Sequence, residues 1–227
     1  MSGVAERLAA VETAIAAAAT RHGRRADAVR LVAVSKRQPA AAINEAWAAG
    51  QRRFGENYLQ EALDKQDELA ALDVEWHFIG AIQGNKTAAI AARFDWVHTV
   101  DRARIATRLN DQRPAGRPPL KVLLQVNISD EASKSGVLPA DLPALVEHVR
   151  ALPRLDLRGL MALPAPTVDP AAQRRAFAAV AALARACGPG LDELSIGTSD
   201  DFDAAIAEGA TLVRLGTAVF GPRPAAA

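Results

Sequence analysis

A chain of 227 residues that is 50% hydrophobic and 23% charged can bury one large core, which excludes the disordered and fibrous classes. Its 27 basic and 26 acidic residues leave a formal charge of +1, and aromatic residues are 4%, so neither a global field nor an aromatic platform recruits nucleic acid or an anionic membrane. Any anionic ligand must be held locally, and the single cysteine, Cys187, in an Ala-rich helical stretch, reads as a packing residue in a reduced compartment.

The amino-terminal segment MSGVAERLAAVETAIAAAATRHGRR carries Glu6 and Glu12 inside its apolar pattern and has no apolar span long enough for a membrane. It predicts an amphipathic helix over about 4–22, neither signal peptide nor anchor, and a cytoplasmic location. Next comes LVAVSK, 31–36, a continuous apolar run of the kind that forms a parallel strand buried on both faces, closed by Lys36. A helix follows, opened by Pro39 and ended near Gly50. RRFGEN at 52–57 leads into a helix through about Leu69. EWHFIG at 75–80 precedes a helix from about Asn85, and DWVHTV at 95–100 one from Asp101 to Asp111. LKVLLQVNI at 120–128 is the longest apolar run; a polar loop, SDEASKSG, separates it from a helix spanning Pro139 to about Ala151. LDLRGLMAL at 155–163, a helix from Pro170 to Cys187, DELSIG at 192–197, a short helix at Asp200 to Glu208 and TLVRLG at 211–216 complete the chain.

Eight strand candidates alternating with helices predict an α/β fold, a single (β/α)8 TIM barrel over about 31–221 within one domain, 1–227. The eighth strand is followed only by TAVFGPRPAAA, too short for a covering helix, so the extra N-terminal helix is expected to fill the eighth outer position. An open doubly wound sheet would carry a Gly-rich first turn, and SKRQP has no glycine.

Barrels of this kind work at the C-terminal ends of their strands, so the residues closing each run are the site candidates. Lys36 ends the first. Low-dielectric packing beside an ammonium favours the nucleophilic amine of a Schiff-base lysine, but a lysine there also marks where a strand meets solvent; position alone leaves both open. The second strand gives Asn57, the third His77 and Gly80, the fifth Asn127, the sixth Met161. The seventh gives Ser199 after Gly197, and the eighth Arg214, Gly216 and Thr217. Ser199 at a helix start and Gly216–Thr217 after a strand suit a phosphate, although Ser199 or Thr198 can equally be a plain helix cap. Arg214 shares a strand face with Gly216 and must be paired or used on a ligand. His77, between Trp76 and Phe78, is either a ligand contact or a satisfied core histidine. His22, His98 and His148 are scattered, with no zinc-type spacing, so no metal is expected.

The blocks AVSK, FGEN, WHFIGAIQGNK, NISDEASKSG, RGLMALP, GTSDD and VRLGTAVFG, in that order from about Val32 to Gly221, resemble those of the YggS/PROSC family, pyridoxal-phosphate-binding proteins of vitamin B6 homeostasis. The resemblance implies the fold type III barrel of alanine racemases. It implies that Lys36 holds pyridoxal 5'-phosphate as an imine and that Arg214 faces the pyridine nitrogen. Ser199, Gly216 and Thr217 would hold the phosphate, with Asn57 and His77 around the ring. An arginine at that nitrogen keeps it unprotonated and weakens the cofactor as an electron sink. The chain departs from the family's usual residues at Gly84, for serine, and at Thr198, for methionine.

Three functions follow. The first is a binding protein, not an enzyme, that buffers, carries or delivers pyridoxal phosphate, with pyridoxal-phosphate-dependent apoenzymes as possible recipients. The second is a weak racemase-type enzyme, which would need a second base; Tyr58 is the sole tyrosine and sits just past the second strand. The third is a class I aldolase using Lys36 directly on a sugar phosphate. With no second domain expected to complete a shared site, the chain is expected to be a monomer. The loop at 129–136, containing Lys134, is either a lid or an ordinary solvated loop.

Overall fold

The computed structural model describes residues 3–129 and 135–222. Eight strands, β1 (Arg30–Val34), β2 (Arg53–Glu56), β3 (Glu75–Phe78), β4 (Trp96–Val100), β5 (Leu120–Val126), β6 (Leu155–Ala162), β7 (Glu193–Ser195) and β8 (Leu212–Leu215), pair in sequence order into a closed barrel. Every pair is parallel, and β1 closes the ring on β8 through the register Arg30↔Leu212 to Ala33↔Leu215. The expected (β/α)8 TIM barrel is the observed fold.

The continuous apolar runs have a direct cause. Val32, Trp96, Leu123, Met161 and Leu212 form one buried cluster inside the ring. Their strand neighbours, among them Leu31, Ala33, Val97, Leu124 and Val213, belong to the larger cluster shared with the outer helices. Both faces of the wall are therefore dry, and alternation with polar residues disappears.

The outer layer is α1 (Val4–Arg21), α2 (Ala40–Ala48), α3 (Leu59–Glu68), α4 (Thr87–Arg93), α5 (Ala103–Gln112), α6 (Leu142–Arg150), α7 (Pro170–Ala186), α8 (Phe202–Ala207) and α9 (Thr217–Phe220). α9 is a single turn, and α1 takes the vacant outer place, packing on α8, α9 and α2. Leu8, Val11 and Ile15 bury its apolar stripe. Glu45 Oε1 accepts from the Val4 backbone N–H (2.8 Å), and Arg7 donates to the carbonyls of Val219 (2.9 Å) and Phe220 (3.1 Å). The terminal helix is thus fastened to the end of the last βα unit.

Strand ends fall short of the apolar runs: β1 stops at Val34 and β7 spans three residues, although Ile196 beyond it remains buried. α6 begins at Leu142 rather than Pro139, with Asp141 at its cap position. Among the described residues no helix is long and apolar enough to cross a membrane.

Candidate functional site

Because β1 pairs with both β2 and β8, the three chain segments leaving those strands emerge side by side. Lys36, half-buried, lines a small cleft of about 20 Å³ with Val34, Gln38, Gly216, Thr217 and Gly221. A side chain at Gly216 would press its Cβ to 3.2 Å from the Val34 carbonyl oxygen, so glycine is what lets the β8 end lie against β1 beside Lys36. Three of the expected site residues, Lys36, Gly216 and Thr217, therefore meet.

A larger cavity of about 1010 Å³ opens at the same end of the barrel. Asn57, Ile79, Gly80, Thr99, Gln125, Met161, Gly197 and Thr198 contribute to its wall, with Asp200 and Asp201 beside them. It is large and mixed enough for a small-molecule ligand. Gly80 is obligatory: a Cβ there would sit 2.0 Å from the Asn57 carbonyl oxygen. Asn57 Oδ1 is buried and has no hydrogen-bond partner among the described residues, a vacancy that a ligand donor would satisfy.

Ser199 is exposed and does not line this cavity, whereas its neighbours Thr198 and Asp200 do. Neither Ser199 nor Thr198 caps α8. Asp201 holds the cap position, and its Oδ1 accepts from the Thr198 N–H (2.6 Å) and Thr198 Oγ1 (2.9 Å), fixing the turn after β7 from below. The sequence reading missed Asp201 in this role; its placement three residues after Thr198 was the available signal.

Behind the cavity floor a hydrogen-bonded chain crosses the barrel. Arg214, buried within β8, donates through Nη1 to the Ser195 carbonyl and Oγ (both 2.6 Å) and through Nη2 to the Ala162 carbonyl (3.1 Å). Ser195 Oγ lies 2.9 Å from His98 Nδ1, His98 Nε2 lies 2.9 Å from His77 Nδ1, and His77 Nε2 lies 3.1 Å from Glu75 Oε1. A carboxylate only accepts and a guanidinium only donates, which sets the direction throughout. His77 donates from Nε2 to Glu75, His98 donates from Nε2 to His77, and Ser195 donates to His98 while accepting from Arg214. Both imidazoles are neutral: burial pushes His77 down against the opposing pull of Glu75, and burial holds His98 well below the ordinary range, helped by its contact with His77, beside which a second proton would be repelled, and by the Arg214 guanidinium. Burial would raise Glu75, but the hydrogen bond donated by His77, the pull of that N–H and the Lys121 ammonium bring it down to about 2. Burial lowers Arg214 to about 10, still a cation at neutral pH.

His77 is corrected accordingly. It lines neither cavity, is fully buried, and has both ring nitrogens committed. Ile79, two residues beyond His77 on the same face and just past the end of β3, stands at the cavity wall instead. His98 and Ser195, which complete this chain, were not singled out from sequence.

Of the loop at 129–136, residues 130–134 lie outside the described residues. Its return is pinned: Gln125 donates to the Ser135 carbonyl (2.9 Å), the Val137 N–H to the Gln125 carbonyl (2.8 Å) and the Asn127 N–H to the Val137 carbonyl (2.9 Å).

The family model described as alanine racemase, N-terminal domain, matches residues 7–224. The chain is 61% identical over 223 residues to the pyridoxal phosphate homeostasis protein of Pseudomonas aeruginosa, covering 98% of this chain and 97% of that one. It is 55% identical over 229 residues to the protein of the same name from Escherichia coli K12, covering 98% of each. PipY of Synechococcus elongatus, solved with pyridoxal phosphate bound, superposes with a TM-score of 0.84 at 40% identity, over 96% of this chain and 100% of that one. Alanine racemase of Corynebacterium glutamicum, at 20% identity and a TM-score of 0.70, shares the fold over 98% of this chain and 62% of its own.

Proposed function

We propose that this chain, which belongs to the alanine racemase N-terminal domain family and within it to the pyridoxal phosphate homeostasis proteins, binds pyridoxal 5'-phosphate and holds it exchangeably on Lys36. The observation that carries the assignment to these residues is the convergence of Lys36 with Gly216 and Thr217 in one cleft. When bound, the cofactor would supply an aldehyde that the Lys36 amine could capture as an imine with loss of water, the reverse hydrolysis returning both.

Each remaining residue has a distinct task. Gly216, Thr217 and Ser199 hold the phosphate through backbone N–H groups and hydroxyls, with the turn after β7 kept in place by Asp201. Asn57 turns its unsatisfied Oδ1 to a donor on the ligand. Arg214 offers a guanidinium N–H to the ring nitrogen and, with a pKa of about 10, keeps its proton, so it can hydrogen-bond that nitrogen without protonating it. His77 acts from behind, through His98 and Ser195, not at the ring.

A carrier role, and not turnover, is supported by what surrounds the amine. Tyr58 is 48% exposed and lines neither cavity, and both imidazoles of the barrel interior are neutral and committed. We read the chain as one domain, 1–227, acting as a cytoplasmic monomer that delivers its ligand to pyridoxal-phosphate-dependent apoenzymes. Leu163 and Val168, exposed where the chain lines the large cavity, give such a recipient an apolar rim to meet.

The test is the visible spectrum after adding pyridoxal phosphate. The parent gains an imine band and Lys36→Ala does not; a band of equal strength in Lys36→Ala rejects Lys36 as the anchor. Turnover of alanine or another amino acid by the loaded parent would replace the carrier reading with the enzyme one.

A further inference from the structure

The barrel wall beside Lys36 contains a buried ionic cluster to which ligand binding gives no task. Lys65, on α3, donates from Nζ to the Ser35 carbonyl (2.8 Å), Glu56 Oε1 (2.7 Å) and Glu61 Oε1 (2.6 Å). An ammonium has three donors, and all three are spent. Glu56 is fully buried; its Oε1 also accepts from Ser35 Oγ (2.7 Å), while its Oε2 has no partner among the described residues. Glu61 Oε1 in turn accepts from the Arg37 backbone N–H (2.5 Å).

Arg37 has a φ of 61°, the one left-handed non-glycine backbone among the described residues. A side-chain-bearing residue persists there only where its surroundings hold it, and such positions gather at functional sites. The residues held are Ser35 and Arg37, those on either side of Lys36. One ammonium therefore ties down the backbone before the lysine directly and the backbone after it through Glu61. A cluster of ions buried in the barrel wall is not a source of stability that hydrophobic packing could not match. Its distinctive product is direction.

We propose that Lys65 is a positioning residue for Lys36: with Glu56 and Glu61 it clamps the turn after β1 so that the Lys36 side chain leaves the backbone toward the cleft of Gly216 and Thr217. This role rests on Lys36 being the anchoring amine. Unclamped, Ser35–Arg37 relaxes toward ordinary backbone angles, and the amine meets the carbonyl carbon from a wider range of directions.

The test separates positioning from general integrity. The rate of imine formation is followed by stopped flow in the full-length parent and in Lys65→Met. In parallel, non-covalent affinity for pyridoxal phosphate is measured by equilibrium dialysis in Lys36→Ala, with and without Lys65→Met. Imine formation is expected to slow about ten- to a hundredfold, the cost of misplacing a reacting group by roughly an ångström, with non-covalent affinity unchanged. A parent without an imine band overturns the Lys36 reading itself, before any Lys65 variant is compared. A parent band with an unaltered rate in Lys65→Met overturns the clamp alone. Equal losses in rate and in non-covalent affinity also overturn it, since they mark a damaged fold. Should Lys65→Met fail to fold, Glu61→Ala releases the Arg37 N–H and one of the three Lys65 bonds while Lys65 keeps Ser35 and Glu56; a slowing of about tenfold or less, reversed in Glu61→Gln, which keeps an acceptor, supports the clamp, and an unchanged rate refutes it.

Discussion

The two buried polar networks beside the site are built in opposite ways. Inside the barrel, Arg214 and Glu75 sit at the two ends of a chain whose middle members, Ser195, His98 and His77, are all neutral. In the wall, the Lys65 ammonium has two carboxylates against it, Glu56 at 2.7 Å and Glu61 at 2.6 Å. The inner chain fixes a side chain, the guanidinium of Arg214; the outer cluster fixes backbone, on both flanks of Lys36. The contrast teaches that a neutral relay keeps a buried cation in place without setting an opposing charge beside the ligand. Outside the wall, away from the ligand, full ion pairing carries no such penalty.

That difference is broken most forcibly at Lys65. Replacing it by methionine strands the Glu56 carboxylate without its cation, and removing one partner of a buried pair costs about 3–5 kcal/mol. Urea denaturation of Lys65→Met at neutral pH should show a loss of that size, and adding Glu56→Gln should recover most of it. An equal loss in the double variant would locate the damage in the packing of the lysine stem instead of the charge.

The inner chain should give less. Ser195→Ala leaves His98 Nδ1 without a donor and Arg214 short of one acceptor, while the Ser195 and Ala162 carbonyls still hold the guanidinium. An unsatisfied neutral group costs about 1–3 kcal/mol, so this variant should be the more stable of the two. Histidine 15N spectra sharpen the same point: His77 and His98 should both carry their proton on Nε2, and an Nδ1-protonated form of either would reverse the direction of the chain.

These networks also mark the limit of what the sequence discloses. Eight apolar runs separated by helical stretches were enough to read the barrel, because burial on both faces leaves its mark in every strand. The convergence of Lys36 with Gly216 and Thr217 follows from closure of β1 on β8, which no local pattern records but the fold class implies. Depth along the barrel axis was not legible. A period of two puts His77 and Ile79 on one face without saying which reaches the cavity, and the structure gives that place to Ile79. Lys65 was hidden for a different reason. With Glu61 four residues before it, it has the pattern of a solvated helical pair, and only the polar residues Ser35, just past β1, and Glu56, at the end of β2, hinted that something charged was buried against them.

The smallest expected effect distinguishes the networks by sign. Glu75, ordinarily near 4.5, is held at about 2 in the folded chain. A depressed carboxyl contributes stability that is present above its unfolded value and is lost as pH falls from 4.5 toward 2. Glu56 moves the other way: burial raises it, more than Lys65 and the hydrogen bonds of Lys65 and Ser35 bring it down, with Glu61 adding to the rise. Its folded form therefore binds a proton more readily than its unfolded one, and its contribution falls as pH rises above 4.5. Glu75 is partly open to solvent, so screening reduces its share to about 1 kcal/mol. Between about pH 6 and about pH 3, urea midpoints of Glu75→Gln should converge on the parent's as the pH drops. Those of Glu56→Gln should fall behind the parent over the same interval, because the parent gains what the variant cannot. Parallel slopes for the two variants would mean that the wall cluster keeps Glu56 as firmly ionised as the inner chain keeps Glu75, and that the two networks differ in position but not in electrostatic character.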